Sequence, residues 1–197
     1  MPTDLSRLCV FCGTNNGSRP DYGSAARELG ALLAAEGIEL VYGGASVGIM
    51  GELADAVQEA GGHVTGIIPQ QLIQKEAAHR GIQDLIVVAS MHQRKSQMAD
   101  LSDGFIALPG GIGTLEGYFE MLTWGQVGIH AKPCGILNIA GYFDALTSFL
   151  DHAVTEGFLT EAHRKTIMVE SDPKVLIGRL RAYEPPTGAP LMGRAHR

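Results

Sequence analysis

Three glycine-rich segments could bring backbone amide groups close to an anion. They cover residues 13–18, 43–51 and 109–114 of a chain in which 26 of 197 residues are glycine, nearly twice the usual share of about 7%. Glycine allows close approach of the backbone to a ligand and positive φ angles. A helix that follows such a segment adds the positive end of its dipole. The residue types in these segments therefore predict phosphate binding.

No single segment identifies the ligand. Gly44 and Gly48 do not have the spacing of a dinucleotide-binding fingerprint, and the chain contains no Gly-Lys-Ser or Gly-Lys-Thr of an NTP-binding loop. One such segment alone is commonly just a tight turn between a strand and a helix. Three of them at one edge of a sheet favour a phosphate-bearing ligand.

Short apolar runs alternate with helical patterns along the chain. This alternation is typical of βαβ units, and it predicts an α/β fold with a parallel sheet covered by helices on both faces. The three glycine segments then meet at the carboxyl edge of the sheet, where such proteins bind ligands. The predicted strands are 8–12, 39–42, 63–68, 84–88, 104–108, 134–137 and 166–169, and the predicted helices are 22–35, 50–60, 91–101, 115–123 and 142–156.

The composition indicates one globular domain. The net charge is −6 and no block of like charges occurs, so we expect neither a basic surface nor nucleic-acid binding. No leader pattern and no run of 18 apolar residues is found, which predicts a cytoplasmic protein without a membrane partner. Residues 1–183 are expected to form the domain, and 184–197, rich in proline and glycine, a flexible tail.

The three cysteines are too few for a disulfide scaffold. Cys9 and Cys12 form a C-x-x-C in a predicted strand, where residues three apart point to opposite faces. We therefore expect buried cysteines rather than a metal or redox pair. The seven histidines also lack metal-ligand spacing, so no metal site is predicted.

A set of ordered motifs over about residues 8–170 is more specific. It includes Met-His-Gln-Arg-Lys at 91–95, Pro-Gly-Gly-Ile-Gly-Thr-Leu-Glu at 109–116, Thr-Trp-Gly-Gln at 123–126 and His-Ala-Lys-Pro at 130–133. The sequence resembles the Lonely Guy family of cytokinin riboside 5′-monophosphate phosphoribohydrolases, whose members are often mislabelled as lysine decarboxylases. The resemblance implies a Rossmann-like, doubly wound parallel sheet of about seven strands in a homodimer. It also implies that an adenosine-type 5′-monophosphate, such as AMP, is hydrolysed to free base and ribose 5-phosphate without a cofactor.

The resemblance also implies residue roles. Arg94 matches the catalytic arginine of the family, and Glu116 survives from its usual pair of glutamates. The remaining matches are substrate- and phosphate-binding positions: Glu76, Lys95, Gly110, Gly111, Ile112, Gly113, Thr114 and Thr123.

These residue types suit glycosidic hydrolysis. The sugar acquires positive charge in an oxocarbenium-like state, which a carboxylate such as Glu116 stabilises. The departing base gains negative charge, which a proton or a cation relieves. Arg94 and Lys95 lie early in the predicted helix 91–101, where the dipole disfavours cations, and this position favours a functional role for Arg94. None of the five lysines lies in a recognisable pyridoxal-phosphate context, so a decarboxylase is the weaker hypothesis.

One departure from the family motif concerns catalysis. The pattern Pro-Gly-Gly-x-Gly-Thr-x-x-Glu ends here on Gly117, where the resemblance places a candidate catalytic carboxylate. A glutamate three residues after Thr114 would also form a helix capping box, and glycine forfeits it. The alternative to a hydrolase is therefore a weakly active or inactive protein that binds nucleoside monophosphates, unless Glu116 or Glu120 has taken over the role.

Overall fold

The computed structural model describes residues 4–75 and 77–185. Within these ranges, seven strands form one parallel sheet. The strands are β1 (Arg7–Phe11), β2 (Glu39–Tyr42), β3 (Val64–Pro69), β4 (Asp84–Val88), β5 (Gly104–Ala107), β6 (Cys134–Leu137) and β7 (Ile167–Glu170).

The order of the strands is β4-β3-β2-β1-β5-β6-β7, and all neighbours are parallel. The order reverses at β1, which pairs with β2 on one side and with β5 on the other. In a doubly wound sheet, ligands bind beyond the carboxyl ends of the strands at such a switch point. The fold therefore places the segments after β1 and β5 at the expected binding edge.

Helices cover both faces of the sheet. They are α1 (Pro20–Ala35), α2 (Gly48–Glu59), α3 (Met91–Asp100), α4 (Ile112–Gln126), α5 (Asp144–Thr155), α6 (Glu161–Thr166) and α7 (Pro173–Arg181). One core cluster joins α1, α2 and α7 to the sheet, and a second joins α3, α4 and α5 to it. None of the described helices has the length and apolar character that crossing a membrane requires.

The prediction that Cys9 and Cys12 point to opposite faces of the sheet is confirmed. Cys9 belongs to the cluster under α3, α4 and α5, whereas Cys12 belongs to the cluster on the opposite face. Both thiols are buried. This arrangement follows from the alternation of side chains along a strand.

The predicted start of α4 is wrong. The helix begins at Ile112 with Gly111 as its N-cap, and the Thr114 amide donates to the Gly111 carbonyl (3.1 Å). Thr114 is thus inside the helix, and Gly117 lies in the second turn. Because a capping box needs Thr114 at the N-cap, the capping interpretation of position 117 is wrong as well.

Two helices were not predicted, and α5 starts late. The prediction omits α6 and α7, although Asp172 caps α7 by accepting from the Lys174 amide (2.8 Å). The predicted helix 142–156 begins at Asp144, because a 3-10 turn over Ile139–Gly141 precedes it. The predicted flexible tail, apart from Glu184 and Pro185, lies outside the described residues.

Candidate functional site

A cavity of about 490 Å³ lies beyond the carboxyl ends of β1 and β5, within the range of about 300–1,000 Å³ typical of ligand sites. The glycine segments after β1 and β5, together with Gly43, Ile49 and Met50 of the second segment, form much of its wall. Most of the predicted site residues border it together: Arg94, Lys95, Gly110, Gly111, Ile112, Gly113, Thr114, Glu116 and Gly117.

Direct backbone hydrogen bonds hold the three glycine segments together. The Gly13 amide donates to the Pro109 carbonyl (3.1 Å), and the Gly13 carbonyl accepts from the Met50 amide (3.2 Å). Gly48 has a φ of +63°, and a Cβ there would collide with the backbone of Thr14. Glycine at this position is therefore required by the close approach of two loops, independently of any ligand.

The N-terminus of α4 faces the cavity with unoccupied donors. Gly111 caps the helix without a side-chain bond. Among the described residues, the amides of Gly111, Ile112 and Gly113 have no acceptor. A Cβ at Gly111 or Gly113 would meet nothing within 4 Å, so the space that a side chain would enter at either position is open. Such a helix end binds anions through its free amides and its dipole.

Arg94 is buried beside the second glycine segment. Its residue is 6% exposed, Nη2 donates to the Gly43 carbonyl (2.6 Å) and Nη1 lies 3.7 Å from the sulfur of Met91. A Cβ at Gly43 would collide with this guanidinium group, so glycine there makes room for the arginine. Ser90 begins the helix by accepting from the Gln93 amide (3.2 Å), which places Arg94 in the first turn.

Lys95 binds two carboxylates of α4. Its ammonium contacts Glu116, and it lies 2.9 Å from Oε2 of Glu120. Burial of the ammonium opposes its charge, but hydrogen bonds and charge attraction from both carboxylates outweigh this, and the pKa of Lys95 is raised. Lys95 therefore stays protonated and orients Glu116, whose side chain is 51% exposed. A Schiff-base lysine needs the opposite shift of its pKa.

Gly117 packs against the ring of Phe11, at the end of β1. A Cβ at position 117 would lie 2.7 Å from Cε1 and 2.8 Å from Cδ1 of that ring. Phe11 is 7% exposed and borders the cavity. An aromatic edge therefore occupies the space that a side chain at position 117 would need.

One predicted site residue, Thr123, does not border the cavity. Thr123 is exposed and donates its hydroxyl proton to the Phe119 carbonyl (2.8 Å), two helical turns beyond the glycine segment. Glu76 lies outside the described residues.

Sequence reasoning missed the aromatic and amide groups at the cavity. Tyr22 and Tyr142 border it, and so do Asn15 and Asn16. The two asparagines belong to the first glycine segment, so their position was a usable signal. Tyr22 lies in α1, four residues after that segment, and nothing in its type or spacing marked it as a site residue. Tyr142 reaches the cavity from the turn before α5, which is distant in the chain from all three segments.

Burial keeps the three cysteine thiols in their protonated form. Burial raises the pKa of Cys12 and of Cys134 to about 12, and it also raises the pKa of Cys9. Thiols that remain protonated are poor nucleophiles and poor metal ligands. No group of three or more His, Cys, Asp or Glu side chains in the described part of the chain could hold a metal ion.

Comparison with known proteins assigns the family. A family model described as "Possible lysine decarboxylase" matches residues 50–180. A probable cytokinin riboside 5′-monophosphate phosphoribohydrolase of Oryza sativa subsp. japonica, LOGL9, is 49% identical over 91% of this chain and 79% of the rice protein. The cytokinin riboside 5′-monophosphate phosphoribohydrolase LOG7 of Arabidopsis thaliana is 49% identical over 92% of this chain and 83% of its own length. The chain belongs to the Lonely Guy family. The family predicted from the sequence motifs is thereby confirmed.

Solved structures confirm the fold of this Lonely Guy protein. A molybdenum cofactor binding protein from Rippkaea orientalis has a TM-score of 0.68 at 24% identity, over 91% of this chain and 97% of its own. A Moco carrier protein from Chlamydomonas reinhardtii has the same TM-score at 22% identity, over 91% and 97% of the two chains. With the observed strand order, these structures confirm the predicted Rossmann-like, doubly wound sheet.

Proposed function

We propose that the protein hydrolyses the N-glycosidic bond of cytokinin-type adenosine 5′-monophosphates, releasing the free base and ribose 5-phosphate. The observation that carries the proposal is its 49% identity, over nine-tenths of the chain, to relatives with this name. The cavity supports it, because a helix N-terminus with free amides borders the same space as an arginine and a carboxylate.

In the proposed complex, the 5′-phosphate binds at the N-terminus of α4. The amides of Gly111, Ile112 and Gly113 donate to its oxygens, and the helix dipole favours its charge. This anchor lies away from the bond that breaks, so its binding energy orients the ribose without participating in the chemistry.

The bond between ribose C1 and the base nitrogen then breaks, and water supplies the oxygen at C1. The carboxylate of Glu116, held by Lys95, stabilises the positive charge on the sugar and accepts a proton from the water. The guanidinium of Arg94 stabilises the negative charge on the departing base, which then takes up a proton from solvent. The proton that Glu116 accepted returns to solvent, which restores the carboxylate.

A second candidate function is nucleotide binding with little turnover. It is favoured by one observation: position 117 carries no carboxylate, and the ring of Phe11 occupies the adjoining space. This candidate shares the phosphate site with the hydrolase and differs only in the rate of bond breaking.

The test is release of free base, followed by chromatography. We expect base and ribose 5-phosphate from AMP and from N6-isopentenyladenosine monophosphate, and no base from adenosine, which lacks the phosphate anchor. Arg94→Gln should abolish release, whereas the matched control Arg7→Gln should not, because Arg7 lies at the amino end of β1 and pairs with Glu39. Tight AMP binding without base release would establish the second candidate, and consumption of adenosine at the same rate as AMP would refute both.

We also propose a cytoplasmic homodimer. Large apolar side chains are exposed outside the cavity, among them Phe158 (91%), Ile129 (65%) and Phe149 (63%), and a second copy of the chain would cover such groups. Three free cysteines suit a reducing compartment. Light scattering at micromolar concentration should give twice the chain mass of 20.9 kDa; a monomer mass contradicts the dimer.

A further inference from the structure

The peptide bond between Gly110 and Gly111 has little conformational restraint of its own. Both flanking residues are glycines, which tolerate φ and ψ values closed to other residues. A rotation of this peptide plane would exchange the positions of the Gly110 carbonyl and the Gly111 amide. Because an anion is attracted to the amide and repelled by the carbonyl, binding at this site depends on which group faces it.

The hydroxyl of Tyr142 donates to the Gly110 carbonyl at 2.6 Å. In a trans peptide, the carbonyl oxygen and the amide hydrogen point in opposite directions. The bond from Tyr142 therefore holds the carbonyl on one side and directs the Gly111 amide to the other.

We infer that Tyr142 is a positioning residue, which fixes the Gly110–Gly111 peptide so that the Gly111 amide is presented to the 5′-phosphate. The inference rests on the proposed function, because it specifies how the phosphate subsite of that same site is held in its binding conformation.

The turn before α5 holds Tyr142 in place. Ala140 and Gly141 both have positive φ angles (52° and 71°), and such a conformation costs free energy at alanine. The Asn138 side chain accepts from the Phe143 amide (2.8 Å) and donates to Asp144 (2.7 Å). The chain thus tolerates a strained residue in the turn that orients this tyrosine.

Aromatic contacts fix the ring itself. Tyr142 meets Tyr22 edge to face, with 5.5 Å between the ring centroids, and meets Phe143 likewise at 4.9 Å. Tyr22 in turn lies against Gly17, where a Cβ would be 2.8 Å from its ring. Tyr142 therefore connects the glycine segments after β1 and β5. It is 43% exposed, so the hydroxyl bond is not a by-product of burial in the core.

The test compares Tyr142→Phe with the parent chain by calorimetric titration of two ligands. Ribose 5-phosphate carries the phosphate and is not turned over, whereas adenosine lacks the phosphate. One hydrogen bond corresponds to a roughly three- to tenfold change in affinity. We expect the dissociation constant for ribose 5-phosphate to rise by that factor and the constant for adenosine to change less than about twofold. The matched control is Tyr118→Phe, which removes a buried hydroxyl that has no hydrogen-bond partner among residues 4–75 and 77–185 and does not border the cavity. This variant should leave both constants unchanged.

The outcomes separate this inference from the proposed function. Unchanged affinity for ribose 5-phosphate, or an equal loss for both ligands, overturns the role of Tyr142. A parent chain that binds ribose 5-phosphate but releases no base from AMP refutes the hydrolase and leaves the inference in place. A parent chain that does not bind ribose 5-phosphate refutes the phosphate subsite and the inference together. A melting temperature of Tyr142→Phe close to that of the parent confirms that the comparison concerns folded protein.

Discussion

Replacement of Gly117 by alanine and by glutamate separates the steric from the chemical role of this position. Both variants add a Cβ, which would lie 2.7 Å from Cε1 of Phe11, whereas carbon atoms in contact are about 3.5–4.0 Å apart. The ring must therefore retreat by roughly 1 Å. Only the glutamate adds the carboxylate that the family motif places there.

The expected stability change is small because two effects oppose each other. Overpacking a core contact lowers the free energy of unfolding by about 1–3 kcal/mol. Replacing a glycine in a helix interior raises it by about 1 kcal/mol. Both variants should thus lose about 0–2 kcal/mol, which lowers the melting temperature by at most about 8 °C in a chain of this size. Adding Phe11→Leu to either variant should recover part of this loss, since it removes the ring carbons that the new Cβ meets.

The expected change in rate differs between the variants. A positioned acid or base contributes roughly 10²- to 10⁴-fold, so base release from AMP by Gly117→Glu should exceed that by Gly117→Ala by about 10²-fold or more. Chromatographic rates under substrate saturation, with melting curves for each protein, provide the measurement. Equal rates for the two folded variants would refute the assignment of a missing carboxylate to position 117, and a higher melting temperature for Gly117→Ala than for the parent would refute the steric argument.

Three further predictions concern the glycine segments, the ion pair and pH. Gly48→Ala should lower the melting temperature by several degrees, since the new Cβ would meet another loop at a residue with positive φ. Gly111→Ala places its Cβ in open space and should leave the melting temperature nearly unchanged. The same variant should weaken the binding of ribose 5-phosphate in titration. Lys95→Gln should lower kcat for AMP about tenfold or more, because Glu116 loses the cation that orients it; an unchanged kcat contradicts this role. Burial lowers the pKa of His130 despite its bond to a backbone carbonyl. Neutral His130 therefore contributes its full share of the stability above the unfolded-state pKa near 6.5. This contribution is lost as the pH falls from there through the lower pKa of the folded state. Between pH 7.5 and 5, the melting temperature should therefore fall further in the parent than in His130→Gln. An equal fall in the two proteins would contradict this role of His130.

Much of the fold followed from local sequence patterns. The bounds of β2, β4 and β6 match the prediction, because buried strands of a parallel sheet are short apolar runs bounded by turn residues. The helix α7 had a readable signal in Asp172 followed by proline, since aspartate at the N-cap and proline in the first turn begin many helices. The start of α4 was predicted too late because threonine is a residue type that often caps helices. In the structure Gly111 is the N-cap, and the helix begins at Ile112.

The site residues that belong to one continuous sequence motif could be predicted from the sequence. All residues of the motif from Gly110 to Glu116 except Leu115 border the cavity, and Arg94 reaches it from the first turn of α3. The contact between Phe11 and Gly117 joins a strand end to a helix 106 positions later in the sequence, and the bond from Tyr142 joins two separate segments. Such contacts arise from the three-dimensional arrangement of elements and leave no local pattern.

The most direct test of the account is the product balance of the unmodified protein with N6-isopentenyladenosine 5′-monophosphate. Free base and ribose 5-phosphate should appear in equal amounts as the nucleotide disappears, and inorganic phosphate should not form. Disappearance of the nucleotide with release of inorganic phosphate, or no base after prolonged incubation at a protein concentration that binds the nucleotide, would contradict the account.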